Sequence, residues 1–166
     1  MNWDAVYFYY FVIHTPITLL MDSTFVIPHE YQLSIQRKLS EFHIKQNQDF
    51  IAIEKPLWIQ IFVVWELIFQ LPFFIYGIMD YFKNNKTGYS VHSWPMFLLY
   101  GFNAGFTSLV CLIYILSEGP THGLSTGSLI NLFSLYVPTT LLPFYMMYDF
   151  YHRIGKLLKE DKPKVL

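Results

Sequence analysis

Asp22 and Glu66 ask most plainly for a chemical role in this 166-residue chain, because each lies inside a run of apolar residues. The stretch Leu57 to Met79, LWIQIFVVWELIFQLPFFIYGIM, is long enough for a membrane helix yet carries Glu66, Gln70 and Pro72. An ionised carboxylate near the centre of such a helix costs about 3 kcal/mol, so acids of this kind face a bundle interior, a cavity or a partner group. Glu66 and Gln70 lie one turn apart and share a helical face, while His14, Thr18 and Asp22, spaced by four, share another. Two carboxyls meeting in a low-dielectric site cannot both ionise cheaply, so the expected state is a dyad that shares one proton and carries one negative charge. Such a dyad suits an amine or a hydroxyl on an otherwise apolar ligand. The competing reading is that these groups only hold helices together, since polar contacts between membrane helices are common and contribute about 0.6 kcal/mol on average. His14 reads either as a proton shuttle or as a packing residue among aromatics.

The elements that must position these residues follow from composition and pattern. With 54% hydrophobic, 20% aromatic and only 14% charged residues, the chain has more apolar surface than a water-soluble core could absorb. The expected fold is an all-α integral membrane protein, one domain over residues 1–166, with a bundle of four kinked helices at about 5–27, 57–79, 94–116 and 128–150. Pro72 removes a backbone donor and should bend its helix beside Glu66; Pro138 and Pro143 should break the last one. Between Pro28 and Pro56 runs the one long polar stretch, where Tyr31, Ile35, Leu39 and Phe42 suit a short amphipathic helix on the membrane surface or over a cavity. An ordinary solvated loop fits that spacing equally well. The N-terminal run lacks a basic leader and a small-residue cleavage site, so it reads as a retained helix rather than a signal peptide.

Several classes of function are excluded or unsupported. A net charge of -1 gives no basic field for nucleic acid. The single cysteine, Cys111, allows no internal disulfide and reads as a small core residue. Linear spacing shows no metal motif, since Leu33 stands where a zinc helix beginning at His29-Glu30 would need its second histidine. No phosphate loop or Ser-His-Asp arrangement is present, and no cofactor is implied.

Lys and Arg set the expected orientation. Lys83, Lys86, Arg153, Lys156, Lys159, Lys162 and Lys164 fall on one side, against Arg37, Lys38, Lys45 and Lys55 on the other, which puts both termini and the tail 151–166 in the cytosol. The loop 28–56 is then luminal, Asp22 and Glu66 both sit in the luminal half, and the sequon at Asn85 stays cytosolic and unused.

The segments His14-Thr-Pro-Ile-Thr-Leu-Leu-Met-Asp22, Glu66-Leu-Ile-Phe-Gln-Leu-Pro-Phe-Phe74 and Tyr136-Val-Pro-Thr-Thr-Leu-Leu-Pro-Phe144 resemble the sigma-2 receptor (transmembrane protein 97) family of EXPERA-domain proteins, whose relatives include the emopamil-binding sterol isomerase. The likeness covers essentially the whole chain. It implies ligand-pocket acids at Asp22 and Glu66, with Gln70, His14, Met21, Thr107, Tyr136 and Thr139 beside them, and a structural acid at Asp49. Thr139 stands where the receptor has a tyrosine, and Asn103 where it has a histidine. The resemblance further implies an endoplasmic-reticulum membrane protein that binds sterols, oxysterols or lipophilic amines in the bilayer. Its implied partners are a Niemann-Pick-type sterol transporter and a second copy of the chain. Lys162 and Lys164 resemble a dilysine retrieval signal. Catalysis as a sterol double-bond isomerase is the alternative, although His14 is followed one turn later by Thr18 rather than by the acid of the isomerase relative. A third reading is an interaction or quality-control protein of the same membrane.

Overall fold

The computed structural model describes residues 2–160, and every regular element among them is helical. Helix α1 spans Trp3–Leu20, α2 Ser34–Asn47 and α3 Phe50–Glu54. Helix α4, Leu57–Trp65, runs through a π-helical turn, Glu66–Gln70, into α5, Leu71–Lys83; α6 spans Trp94–Glu118 and α7 Thr126–Glu160. Three of these stretches, Leu57–Lys83, Val91–Glu118 and Thr126–Glu160, are long and apolar enough to cross a membrane. Helix α1 is not among them, because three tyrosines, His14 and Pro16 dilute its hydropathy.

The first expected span, 5–27, is helical only to Leu20 and then tightens into a 3-10 turn at Asp22–Phe25. Local side chains compete with the helix for its own carbonyls there: Ser23 Oγ donates to the Leu19 carbonyl at 2.8 Å and Thr24 Oγ1 to that of Met21 at 2.6 Å. The carbonyls left by the unwinding are met from the 28–56 segment. Gln36 Nε2 donates to Leu19, Gln32 Nε2 to Thr24 and Ile27, and Lys55 Nζ to Thr24 at 2.6 Å. Burial lowers the pKa of the Lys55 ammonium, the cost of drawing it under this turn.

The amphipathic helix expected in the polar stretch forms as α2, and its apolar stripe faces outward. Tyr31, Ile35 and Phe42 are exposed, whereas Gln36, Ser40 and His43, spaced by four and three, face the protein. Pro138 and Pro143 do not break α7, which continues beyond residue 150 to Glu160. The Thr139 and Thr140 hydroxyls both bond the Tyr136 carbonyl, back-bonds within α7 between its two prolines. Lys162 and Lys164 lie outside the described residues.

Helix α1 packs on α5, and α6 on α7. The second pairing is tight because Gly101 and Gly105 lack side chains: a Cβ on Gly101 would sit 2.5 Å from the Pro143 carbonyl oxygen. At the end holding the start of α1 and Arg153 of α7 the space is filled with rings. Tyr7, Phe11, Phe73, Phe74, Phe97, Tyr100 and Phe150 form one buried cluster, with Phe97 and Phe150 stacked 4.4 Å apart. Arg153 closes that end by pairing with Asp4 at 2.7 Å and Asp149 at 2.6 Å, while Tyr7 donates to Asp149.

Candidate functional site

Away from the aromatic cluster the same helices enclose a cavity of about 290 Å³. Its position follows from two departures from regular helix. The 3-10 turn swings Asp22 off the end of α1, and the π turn holds Glu66 opposite. The π turn has a local cause: Pro72 cannot donate to the Ile68 carbonyl, so hydrogen bonding slips by one residue and Leu71 N–H reaches back to the Glu66 carbonyl.

Thr18, buried on α1, donates to Glu66 Oε1 at 2.5 Å and fixes that carboxyl against the first helix. His14 stacks on Tyr10 at 4.9 Å and meets the edge of Phe74 at 5.5 Å. One ligand-type atom from each of His14, Asp22 and Glu66 lies within 4.8 Å of the others. Linear spacing could not show this grouping, because Glu66 comes from a distant part of the chain.

Met21, Thr107, Tyr136 and Thr139 stand on the cavity wall together with His14, Asp22 and Glu66. Gln70 does not. It lies at the far end of the π turn, buried, with its amide donating to Asn103 Oδ1 of α6 at 2.9 Å. The face that Gln70 was expected to share with Glu66 presumed a regular helix, where the structure has a π turn. Cys111, expected as a core residue, is buried and contributes to the wall.

Asp49 forms the second polar pole of the cavity. Its carboxylate caps α3 by accepting from Ala52 N–H at 3.1 Å, and accepts from the Tyr136 hydroxyl and His43 Nε2 at 3.0 Å each. Asn47 lies 3.2 Å from the other His43 ring nitrogen and accepts from Asn131 on α7, so a chain of polar contacts pins α2 and α3 to α7. Sequence reasoning missed Ser40 and His43 on the wall. Their signal was the polar face of α2, which the apolar stripe opposite it obscured. Among the described residues the wall carries no Lys or Arg; its basic side chains are His14 and His43, of which His43 is paired with Asp49.

The sequence pattern of the EXPERA (EXPanded EBP superfamily) family matches residues 35–150, which include Glu66, Thr107, Tyr136 and Thr139 but not His14, Met21 and Asp22. The chain is 37% identical over 147 residues to the efficient mitochondria targeting-associated protein 19 of Saccharomyces cerevisiae, covering 82% of this chain and 90% of that one. It is 30% identical over 157 residues to the sigma intracellular receptor 2 of Homo sapiens, covering 83% and 81%, and 27% identical over 149 residues to that of Xenopus tropicalis, covering 87% and 85%. A pattern matched over most of its length, with relatives aligned nearly end to end, makes this chain a member of the EXPERA (EXPanded EBP superfamily) family.

Proposed function

We propose that the protein is a non-enzymatic receptor for a lipophilic amine, sterol or oxysterol, which it holds in the cavity between its membrane helices. The observation that carries this reading is the meeting of Asp22 and Glu66 on the wall of a cavity otherwise built largely from apolar side chains. In the proposed ligand-free state the two acids share one proton. The remaining negative charge pairs with a ligand ammonium or accepts from a hydroxyl, and the apolar walls take the hydrocarbon body. Asp49 acts structurally in this reading, holding α2 and α3 over the cavity.

The proposed setting is the endoplasmic-reticulum membrane, crossed four times with α1 as the first span, both termini cytosolic and residues 28–56 luminal. The outward apolar face of α2 suits the luminal surface of that bilayer. A link to sterol homeostasis, with a Niemann-Pick-type sterol transporter or a second copy of the chain as partner, belongs to the same proposal. Fluorescent or protease-protected tags at either end test the topology. Glycan attached at Asn85 would invert it.

The binding test is displacement of a labelled lipophilic amine from purified protein. Removing one partner of a partly desolvated charge pair costs about 2 to 5 kcal/mol, so Asp22→Asn should weaken a cationic ligand by tens to thousands of fold while sparing a neutral sterol. Glu66→Gln keeps a donor in place and should retain much of the amine affinity. Equal small losses in both variants would reduce the pair to helix glue, and conversion of a Δ8 sterol by the purified protein would establish the isomerase instead.

A second reading draws on the 37% identity to a yeast protein named for efficient targeting to mitochondria. In that reading the chain assists precursor proteins at the membrane. Slower import of mitochondrial precursors in cells lacking the chain, restored by Asp22→Asn, would separate this role from ligand binding.

A further inference from the structure

We propose that His14, Asp22 and Glu66 form a site for one zinc-like divalent transition-metal ion, with the cavity leaving a coordination position open for water or a ligand atom. The inference rests on the geometry of these three side chains and does not depend on the receptor reading.

The first support is the donor set. One imidazole and two carboxylates, each with a ligand atom within 4.8 Å of the others, approach what such an ion needs. A tetrahedral ion with bonds of about 2.0–2.2 Å holds its ligands roughly 3.3–3.6 Å apart. Small side-chain rotations close the difference, and the three residues stand on three separate segments that allow them: α1, the 3-10 turn and the π turn. A mixed nitrogen and oxygen set favours zinc-like ions over magnesium or calcium, which prefer oxygen ligands alone.

The second support is His14 itself. Its ring is held between Tyr10 and Phe74, it lies on the cavity wall, and neither nitrogen is hydrogen-bonded by any described residue. A positioned imidazole with a free lone pair beside two carboxylates is arranged for a cation. Glu66 is prepared in the same sense: Thr18 donates to Oε1 and orients the carboxyl, the usual work of a residue behind a metal ligand.

The third support is charge. Asp22 and Glu66 bring two carboxyls to one place, and no Lys or Arg stands among the described lining residues. A divalent ion can offset two carboxylates where an ammonium offsets one. Ammonium and metal then compete for one place.

The test uses purified full-length protein in detergent, stripped with a chelator and without any organic ligand. Titrated Zn²⁺ should bind at one per chain, and excess Mg²⁺ should not displace it. Co²⁺ should give the visible band of a tetrahedral nitrogen and oxygen site, which Zn²⁺ then bleaches. His14→Gln and Asp22→Asn should each weaken Zn²⁺ at least tenfold, whereas His122→Gln, at the surface pair with Glu54, should not. Zinc that binds without a Co²⁺ band, or as tightly to His14→Gln as to the native chain, would overturn the proposal, as would no binding at 0.1 mM. The Co²⁺ spectrum of the native protein decides the matter even if a variant fails to fold. Amine displacement in chelator-treated buffer is a separate measurement, so the receptor reading and the metal site can fail independently.

Discussion

The two ends of the molecule are built from the same helices and solve opposite problems. At the end where α1 begins, Phe11 lies within 6 Å of the rings of Phe73, Phe74, Phe97 and Tyr100, and Asp4, Arg153 and Asp149 are paired in one cluster. At the other end the helices depart from regular geometry, in the 3-10 turn after α1 and the π turn before α5, and polar side chains hold a space open. Several buried polar groups there are held by long-range bonds, as Gln36 to Leu19 and Tyr136 to Asp49. A smaller aliphatic and aromatic cluster of Phe50, Ile51, Ile59, Val63, Cys111, Ile115 and Leu132 packs behind the cavity. The difference teaches that one end is filled with rings throughout, whereas the other combines a packed cluster with a polar-lined space.

Breaking the filled end should therefore have the largest effect on folding. Phe97→Ala removes a fully buried ring in contact with Phe11, Phe73, Tyr89 and Phe150, which should cost about 3 to 5 kcal/mol and lower the melting temperature of the detergent-solubilised protein sharply. Phe62→Ala, on the cavity wall, should cost clearly less, because its ring already borders open space. Equal losses would erase the distinction between the two ends. Arg153→Ala ranks next. The pair with Asp4 is only partly exposed, at 25% and 13%, so its loss should cost about 2 kcal/mol, below the 3 to 5 of a fully buried pair. Thermal melts should show this loss shrinking in Arg153→Ala/Asp4→Asn, where Asp149, which still accepts from Tyr7, is the one acid left without Arg153. An undiminished loss would mean that Arg153 acts by packing on Phe150 instead.

Much of the hollow end was legible, though not its geometry. The four-residue spacing of His14, Thr18 and Asp22 marked one polar seam, and Glu66 within an apolar run marked the other. That spacing presumed a helix through Asp22, whereas the helix ends at Leu20, where Ser23 and Gln36 take the Leu19 carbonyl and Thr24, Gln32 and Lys55 take those of the turn beyond it. Three of these five donors, Gln32, Gln36 and Lys55, come from the 28–56 segment, which periodicity does not encode, and the Gln70 bond to Asn103 is not encoded either. Pro72 announced a distortion but not its kind. A proline is compatible with a kink, a break or a π turn, and periodicity alone does not choose among them. At the filled end the abundance of Phe and Tyr pointed to a packed core, while the pairing of Asp4 with Arg153, 149 residues apart in sequence, had no local signature.

The comparison sharpens at the bonds that hold the cavity open. Tyr136→Phe removes one of three hydrogen bonds to the Asp49 carboxylate and should cost about 1 kcal/mol, leaving His43 and Ala52 N–H as donors. Melting should fall by a few degrees, with ligand affinity changed less than in Asp22→Asn. A loss of affinity equal to that of Asp22→Asn would make Tyr136 a direct ligand contact.

The smallest effect is expected at Gln70, and it tests where the hollow end stops. Its side chain shares the π turn with Glu66 but points to Asn103, and it forms no part of the cavity wall. Gln70→Ala leaves the Asn103 amide without this partner, and side-chain bonds between membrane helices average about 0.6 kcal/mol, so the melting temperature should move by a degree or two. Affinity for a lipophilic amine should stay within about twofold, because a change of less than roughly 0.4 kcal/mol is all that a bond outside the site can transmit here. Gln70→Ala and Asn103→Ala should also fail to add in a double-mutant cycle, since either change alone breaks the same bond. A tenfold loss of affinity in Gln70→Ala would show that the π turn positions Glu66 only while that bond is made, and the boundary of the site would then run through α6.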